Sequence, residues 1–214
     1  MRALAIPVKS LGYAKSRLAS VLSELERAAL TLAMFEDVLD VAGSLDGWEA
    51  WVVTPDETVI EIAMARHVHA IIEERPSLGA AIQQLEDEAV ARTAEALAIV
   101  PADMPMLTVP ALTAALHTLG PVVIAPSADE RGTNLLLRRP PTVIPSRFGV
   151  DSFRRHLQIA AERELPIAVV EREELAFDVD EAGDILTVLR AGPPGRTVEV
   201  CRQLDVAGRL GVRA

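Results

Sequence analysis

Aromatic residues are scarce: two Trp, one Tyr and four Phe amount to 3% of 214 residues, although half of the chain is apolar. Such a core must be filled by Leu, Val, Ile and Ala, and too few rings remain to build a stacking platform for nucleic-acid bases. Positive charge is also in deficit, with 21 Lys and Arg against 31 Asp and Glu for a formal net charge of −10. A surface of that sign repels phosphate backbones and anionic lipid, so neither a nucleic-acid nor a membrane partner is expected, and any phosphate site must be local. The lone cysteine, Cys201, has no partner for an internal disulfide. No apolar run is long enough to span a bilayer, and no charged segment followed by a long apolar stretch opens the chain. A reducing, cytoplasmic setting is the expectation.

The length suits one domain, and residues 1–214 are read as a single unit. Short aliphatic runs at residues 4–8, 51–54, 68–72, 97–100, 122–125 and 167–170 have strand length. Between them lie segments of helical period. The clearest is 23–42, where Leu25, Ala29, Leu32, Phe35, Leu39 and Ala42 share one face and Ser23 with Glu26 forms a capping box. Further helices are predicted at 79–92, at 108–119 after a Thr108 cap with Pro110 in the first turn, and at 151–164. The Ala-Gly-Pro-Pro-Gly turn at 191–195 precedes a last helix over 196–206. Loops are expected at 9–17, 102–106, 126–133 and 139–149. This alternation predicts an α/β fold, a mostly parallel, doubly wound sheet flanked by helices, which binds ligands beyond its strand C-termini. The apolar helix at 108–119 fits either the core or a homodimer interface.

Four segments carry candidate chemistry. The loop after the first strand holds Lys9, Lys15 and Arg17, which could neutralise a triphosphate; the alternative is three solvated surface charges. Asp103 follows the buried run at 97–100. A hard cation such as magnesium prefers a few protein carboxylates completed by water and substrate phosphate, whereas the plain alternative for Asp103 is a turn before Pro105. Asp178 and Asp180 fall on one side of an extended segment and could complete a metal site, or they belong to an acidic loop capping a helix near Asp184. Gly149 and Ser152 flank a helix start, where free backbone N–H groups, a hydroxyl and nearby Arg147 would suit a phosphate or carboxylate; Asp151 or Ser152 could equally be an ordinary N-cap. His67, His69, His117 and His156 lack a shared metal-ligand spacing, and only His156 lies near this candidate acceptor segment. Cys201 reads as core.

Taken in order, Ile6-Pro7-Val8-Lys9, Ala14-Lys15-Ser16-Arg17-Leu18, Ala102-Asp103-Met104-Pro105-Met106-Leu107, Gly132-Thr133-Asn134-Leu135-Leu136 and Phe148-Gly149-Val150-Asp151-Ser152-Phe153 resemble the phosphoenolpyruvate or 2-phospho-L-lactate guanylyltransferase family of coenzyme F-420 synthesis. The resemblance runs from Leu4 to Asp180. It implies a nucleotidyltransferase fold like that of molybdenum-cofactor guanylyltransferases and GT-A enzymes, with magnesium as cofactor. By the same resemblance, Thr133, Gly149 and Ser152 contact a phosphorylated acid. Lys15 and Arg17 meet the GTP phosphates and act in catalysis with Asp103, Lys9 and Gly79 also belong to the nucleotide site, and Asp103 binds the metal with an aspartate of the Asp178-Val179-Asp180 segment, Asp178 or Asp180. The chain reads Ser77-Leu78-Gly79 where related enzymes often read Gly-Leu-Asn, and Asp180-Glu181-Ala182-Gly183-Asp184 where they often read Asp-Thr-Pro-Glu-Asp.

The implied reaction joins GTP to phosphoenolpyruvate, giving enolpyruvoyl-2-diphospho-5'-guanosine and pyrophosphate. The same reaction on 2-phospho-L-lactate or 3-phospho-D-glycerate is the alternative. A sugar-phosphate nucleotidyltransferase or GT-A glycosyltransferase, and a non-catalytic nucleotide-binding module, are the competing classes.

Overall fold

Runs of Val, Leu, Ile and Ala separated by one helix each leave successive strands little choice but to run parallel, because the crossover returns the chain to the end of the sheet from which the previous strand started. The computed structural model, which describes residues 1–211, bears this out in its first half. Strands β1 (Arg2–Pro7), β2 (Glu49–Thr54), β3 (His69–Ile72) and β4 (Ala96–Ile99) pair in parallel in the order β3-β2-β1-β4. They alternate with helices α1 (Glu24–Gly43), α2 (Glu57–Ala65) and α3 (Leu78–Ala91). Helix α4 (Val109–Leu116) leads to β5 (Val122–Pro126), β6 (Thr133–Arg138), α5 (Ser152–Glu162) and β7 (Ile167–Val169). The completed sheet has seven strands in the order β3-β2-β1-β4-β6-β5-β7. The chain closes with α6 (Glu173–Ala176), α7 (Ala182–Ala191), α8 (Arg196–Gln203) and α9 (Val206–Arg209).

One strand runs against the rest. β6 is antiparallel to both β4 and β5, while β5 and β7 are parallel. The sequence pattern gave no strand here, because Thr133, Asn134 and Arg138 break the apolar run. All six residues of β6 are nevertheless buried. Arg138 lies in the core with its guanidinium 2.5 Å from Glu86.

Strand alternation divides the core between the sheet's faces. Leu4, Ile6 and Val52 pack with Phe35, Val38 and Leu39 of α1, Val59 of α2 and Leu112 of α4. Ala3, Ala5, Trp51, Val53, Leu97 and Ile99 pack with Ile82, Leu85 and Ala89 of α3. Helix α4 therefore spends its apolar face on the core, with Ala111, Leu112, Ala115 and Leu116 all buried.

Several local expectations need correction. The Ser23/Glu26 capping box forms, but Leu25 is 84% exposed. The second apolar stripe of α1 is Leu30 and Met34, which face the C-terminal helices. Helices α2 and α6 arise outside the predicted helices, α2 under an Asp56 cap, while the helix expected near Asp184 forms as α7 under a Glu181/Asp184 capping box. The predicted helix at 196–206 breaks after Gln203, because Asp205 takes a left-handed conformation and caps α9.

A third apolar cluster matters for the site. Leu18, Leu22, Leu30, Met34, Val179, Ile185, Val188, Val198, Cys201 and Val206 pack together. Leu18 follows Arg17 and Val179 separates Asp178 from Asp180, so this cluster anchors two charged segments by the apolar residues set among them. Fully burying a side chain such as Leu18 is worth roughly 2 kcal/mol.

Candidate active site

In a parallel sheet the C-terminal strand ends share one edge, and a reversed strand brings its N-terminus to that edge. Ile99 of β4 pairs with Leu136 of β6, so Thr133 and Asn134 lie beside the turn that follows β4. The Asp103 carbonyl accepts from the Val179 N–H at 3.0 Å, which ties that turn to the 177–180 segment. Asn134 fixes the same segment by donating its amide hydrogens to the Ala176 carbonyl at 3.0 Å and to Asp178 Oδ1 at 3.1 Å.

Oxygens of Asp103, Asp178 and Asp180 thereby come within 4.8 Å of one another. Lys15, held in a left-handed conformation at φ 52°, extends Nζ to Asp103 Oδ2 at 2.5 Å and Asp180 Oδ1 at 3.2 Å. Arg17 Nη1 reaches Asp180 Oδ2 at 3.2 Å. Burial would depress the Lys15 ammonium, but Asp103 and Asp180 outweigh it and hold Lys15 above the ordinary lysine range. Asp178 is pushed up to about 6 by burial, with the charges of Asp103 and Asp180 adding to the rise and the Asn134 hydrogen bond and Lys15 opposing it. Two cations thus face three carboxylates, and the cluster is short of positive charge. Hard oxygen donors this close can hold a divalent cation.

Two lobes of one cleft meet at these residues. A cavity of about 420 Å³ is lined by Lys9, Lys15, Arg17, Leu78, Asp103 and Asp180. A broader one of about 670 Å³ is lined by Arg131, Thr133, Asn134, Gly149, Ser152 and Asp178. Arg17, Leu78, Pro101, Asp103, Phe148 and Asp180 belong to both. Beside the first lobe, Lys9, Pro55, Pro76, Leu78 and Ala81 line an apolar recess of about 350 Å³. Gly79 is the second residue of α3, next to Leu78, and is not among the residues lining these cavities.

The helix start at α5 differs from the expected anion cradle. The Ser152 N–H donates to the Gly149 carbonyl at 3.1 Å and the Phe153 N–H to the Arg131 carbonyl at 3.4 Å, so neither is free. Gly149, at φ +107°, makes the turn that few other residues would tolerate. Asp151 occupies the N-cap position without a side-chain capping bond, and Arg147 turns its guanidinium to the Ser146 carbonyl at 2.9 Å. Ser152 instead points inward, donating to Thr133 Oγ1 at 2.9 Å. At this helix start the lobe therefore meets the Thr133 and Ser152 side chains, and the Ser152 and Phe153 amides are spent within the protein.

Two participants went unassigned in the sequence, Asn134 and Phe148, although both stand inside the quoted motifs. His69 pairs with Glu88 at 2.9 Å and His117 bonds the Thr113 carbonyl at 2.8 Å, while His67 lies exposed on the surface. Cys201 is buried and its thiol is pushed up to about 12 by burial, so it is inert.

The sequence matches the family described as guanylyl transferase CofC like over residues 1–210. The chain belongs to that family. A phosphoenolpyruvate guanylyltransferase of Rubrobacter xylanophilus is 37% identical over 190 residues, covering 87% of this chain and 93% of the relative. A 3-phospho-D-glycerate guanylyltransferase of Phenylobacterium zucineum is 39% identical over 199 residues, covering 89% of this chain and 91% of the relative. In three dimensions, a Desulfovibrio desulfuricans G20 protein assigned as a nucleotide-diphospho-sugar transferase superposes with a TM-score of 0.77 at 19% identity, covering 100% of both chains. Family membership makes the chain a nucleotidyltransferase of the guanylyltransferase kind, and the α/β sheet with one reversed strand is the fold on which that chemistry is built.

Proposed function

We propose that the chain condenses GTP with phosphoenolpyruvate, releasing pyrophosphate and forming enolpyruvoyl-2-diphospho-5'-guanosine for coenzyme F-420 synthesis. The observation that carries this reading is the junction: Asp103, Asp180 and Arg17 line both lobes of the cleft, so two substrates can meet over one charged floor. GTP occupies the lobe of Lys9, Lys15 and Arg17, with the apolar recess near Leu78 and Ala81 open to its base. The acid occupies the lobe of Thr133, Gly149 and Ser152.

No protein nucleophile is required. The acceptor's phosphate is already ionised at neutral pH, and one of its oxygens attacks the α-phosphorus of GTP in line while the bond to pyrophosphate breaks. Lys15 and Arg17 neutralise charge on the transferring group. Asp103, Asp178 and Asp180 fit a magnesium ion by donor type and by mutual spacing, and Asp178, raised by burial and by the neighbouring charges of Asp103 and Asp180, would gain from a cation there. Bound there, the cation would add charge neutralisation at the phosphates. In the ligand-free chain Lys15 sits on two of these carboxylates. Every residue named comes from one chain, so the reading requires no homodimer, and the lone cysteine suits a cytoplasmic setting.

The second acceptor is 3-phospho-D-glycerate, favoured by the 39% identity to a relative named for it. Pyrophosphate release from GTP, with ATP and CTP as controls and each acid supplied separately in magnesium buffer, tests the proposal. GTP with phosphoenolpyruvate should react, chelation should stop the reaction and added magnesium should restore it. Release only with 3-phospho-D-glycerate or 2-phospho-L-lactate would reassign the acceptor; release only with a sugar phosphate would overturn the class of substrate.

A further inference from the structure

One buried polar group near the cleft has no part in the chemistry above. His156, on α5, is completely buried, yet both ring nitrogens are engaged. The Arg147 backbone N–H donates to Nε2 at 2.8 Å. A nitrogen that accepts cannot also carry a proton, so the neutral ring must hold its hydrogen on Nδ1. Nδ1 lies 3.2 Å from Thr133 Oγ1 and is therefore the donor of that pair. Thr133 Oγ1 also accepts from Ser152 Oγ at 2.9 Å. With both oxygen lone pairs filled, the hydroxyl retains one capability, the donation of its own hydrogen. Thr133 and Ser152 line the broad lobe, and His156 stands behind them.

We propose that His156 is a positioning residue that makes the Thr133 hydroxyl an obligate hydrogen-bond donor to an anionic oxygen of the acceptor. The chain runs one way, from the Arg147 amide through the imidazole to Thr133. An acceptor presenting an ionised phosphate or carboxylate oxygen is matched to it, a hydroxyl oxygen there accepts a weaker, uncharged bond, and a group that can only donate, such as an ammonium, is rejected. The ring stays neutral because burial and the charges of Arg138, Arg147 and Arg155 hold it down at about 4, against a hydrogen bond to the Ser152 backbone that favours its protonated form. Phe148, whose ring meets the imidazole edge to face at 5.5 Å between centroids, keeps it in place and lines both lobes.

The inference rests on the acid binding in the broad lobe, and the experiment separates the two claims. Thr133→Val, His156→Phe and His156→Asn are compared with the unaltered protein by pyrophosphate release, with KM measured separately for GTP and for phosphoenolpyruvate. Thr133→Val and His156→Phe should each raise the KM for the acid about tenfold, the size of one lost hydrogen bond to a charged group, and leave the KM for GTP within about twofold. The double variant should be no worse than either single one, since both remove the same donor. His156→Asn, whose amide can offer an N–H where Nδ1 stood, should recover most of the loss. If Thr133→Val leaves the acid's KM unchanged, the acid is bound elsewhere and both claims fall. If Thr133→Val raises it and His156→Phe does not, or if Asn rescues no better than Phe, the acid site stands and the role of His156 is overturned. Should His156→Phe fail to fold by circular dichroism, His156→Gln replaces it, since that side chain can still accept from the Arg147 amide but offers no donor at the Nδ1 position.

Discussion

The two ends of the cleft solve different problems with different materials. The floor gathers Asp103, Asp178, Asp180, Lys15 and Arg17, whose interactions are long-ranged and only partly balanced. One wall of the broad lobe is built instead from uncharged groups: Thr133, Ser152 and His156 are all at least 96% buried and satisfy one another by directed hydrogen bonds. A charged cluster tolerates small displacements, because Coulomb attraction falls slowly with distance, whereas a hydrogen-bond chain fails on losing one hydrogen. Under the proposed function, the floor would supply rate and the wall selection.

This division can be broken most severely at the floor. Asp103→Ala removes the residue common to the Lys15 contact, the acidic cluster and both lobes, and kcat should fall about 10³-fold or more, as when a preorganised electrostatic contact is deleted. Single-turnover pyrophosphate release reads that loss. A fall in kcat no larger than that of Ser152→Ala would erase the distinction between floor and wall. Lys15→Met should cost less, roughly 10- to 100-fold in kcat/KM for GTP, the worth of one or two charge-assisted contacts. Unchanged kcat/KM in that variant would move the triphosphate away from the first lobe.

The smallest effect sharpens the comparison through pH. Asp178 binds a cation only when ionised, so Mn2+ affinity of the ligand-free chain should rise as pH rises through about 6. Asn134→Leu removes a hydrogen bond that favours the ionised carboxylate, so the midpoint should move upward by roughly one pH unit. Isothermal titration across pH 5 to 8 distinguishes this from a uniform loss of affinity, which would mean that Asn134 merely supports the backbone.

The features legible in the sequence were those decided locally. The Ser23/Glu26 capping box, the Thr108 cap, the parallel strands β1 to β4 and Asp103 beyond β4 all follow from neighbouring residues. The candidate segments around Lys15, Asp103 and the Asp178/Asp180 pair were also legible, and the fold brings them to one place. What escaped was decided at a distance. β6 was hidden because the polar residues at its ends are satisfied by partners such as Glu86 and Ala176, which lie 52 and 42 positions away. Ser152 looked like a helix cap, but its hydroxyl is taken by Thr133, 19 positions earlier. Leu25 obeyed the helical period and still faced water, although Phe35, Leu39 and Ala42 of the same stripe are buried against the sheet; the stripe that meets the C-terminal helices is the one carrying Leu30 and Met34.

The apolar cluster that joins Leu18 to Val179 also sets an order of assembly. Lys15 and Asp180 are 165 positions apart, and the segment bearing Asp180 is held by α7, α8 and α9. Contacts of such separation form late, because the loop between them must close before any of its energy returns. A chain emerging from the ribosome can complete the parallel half of its sheet well before its floor exists. Completion of the floor therefore waits on residues 177–206, long after the parallel strands have been made.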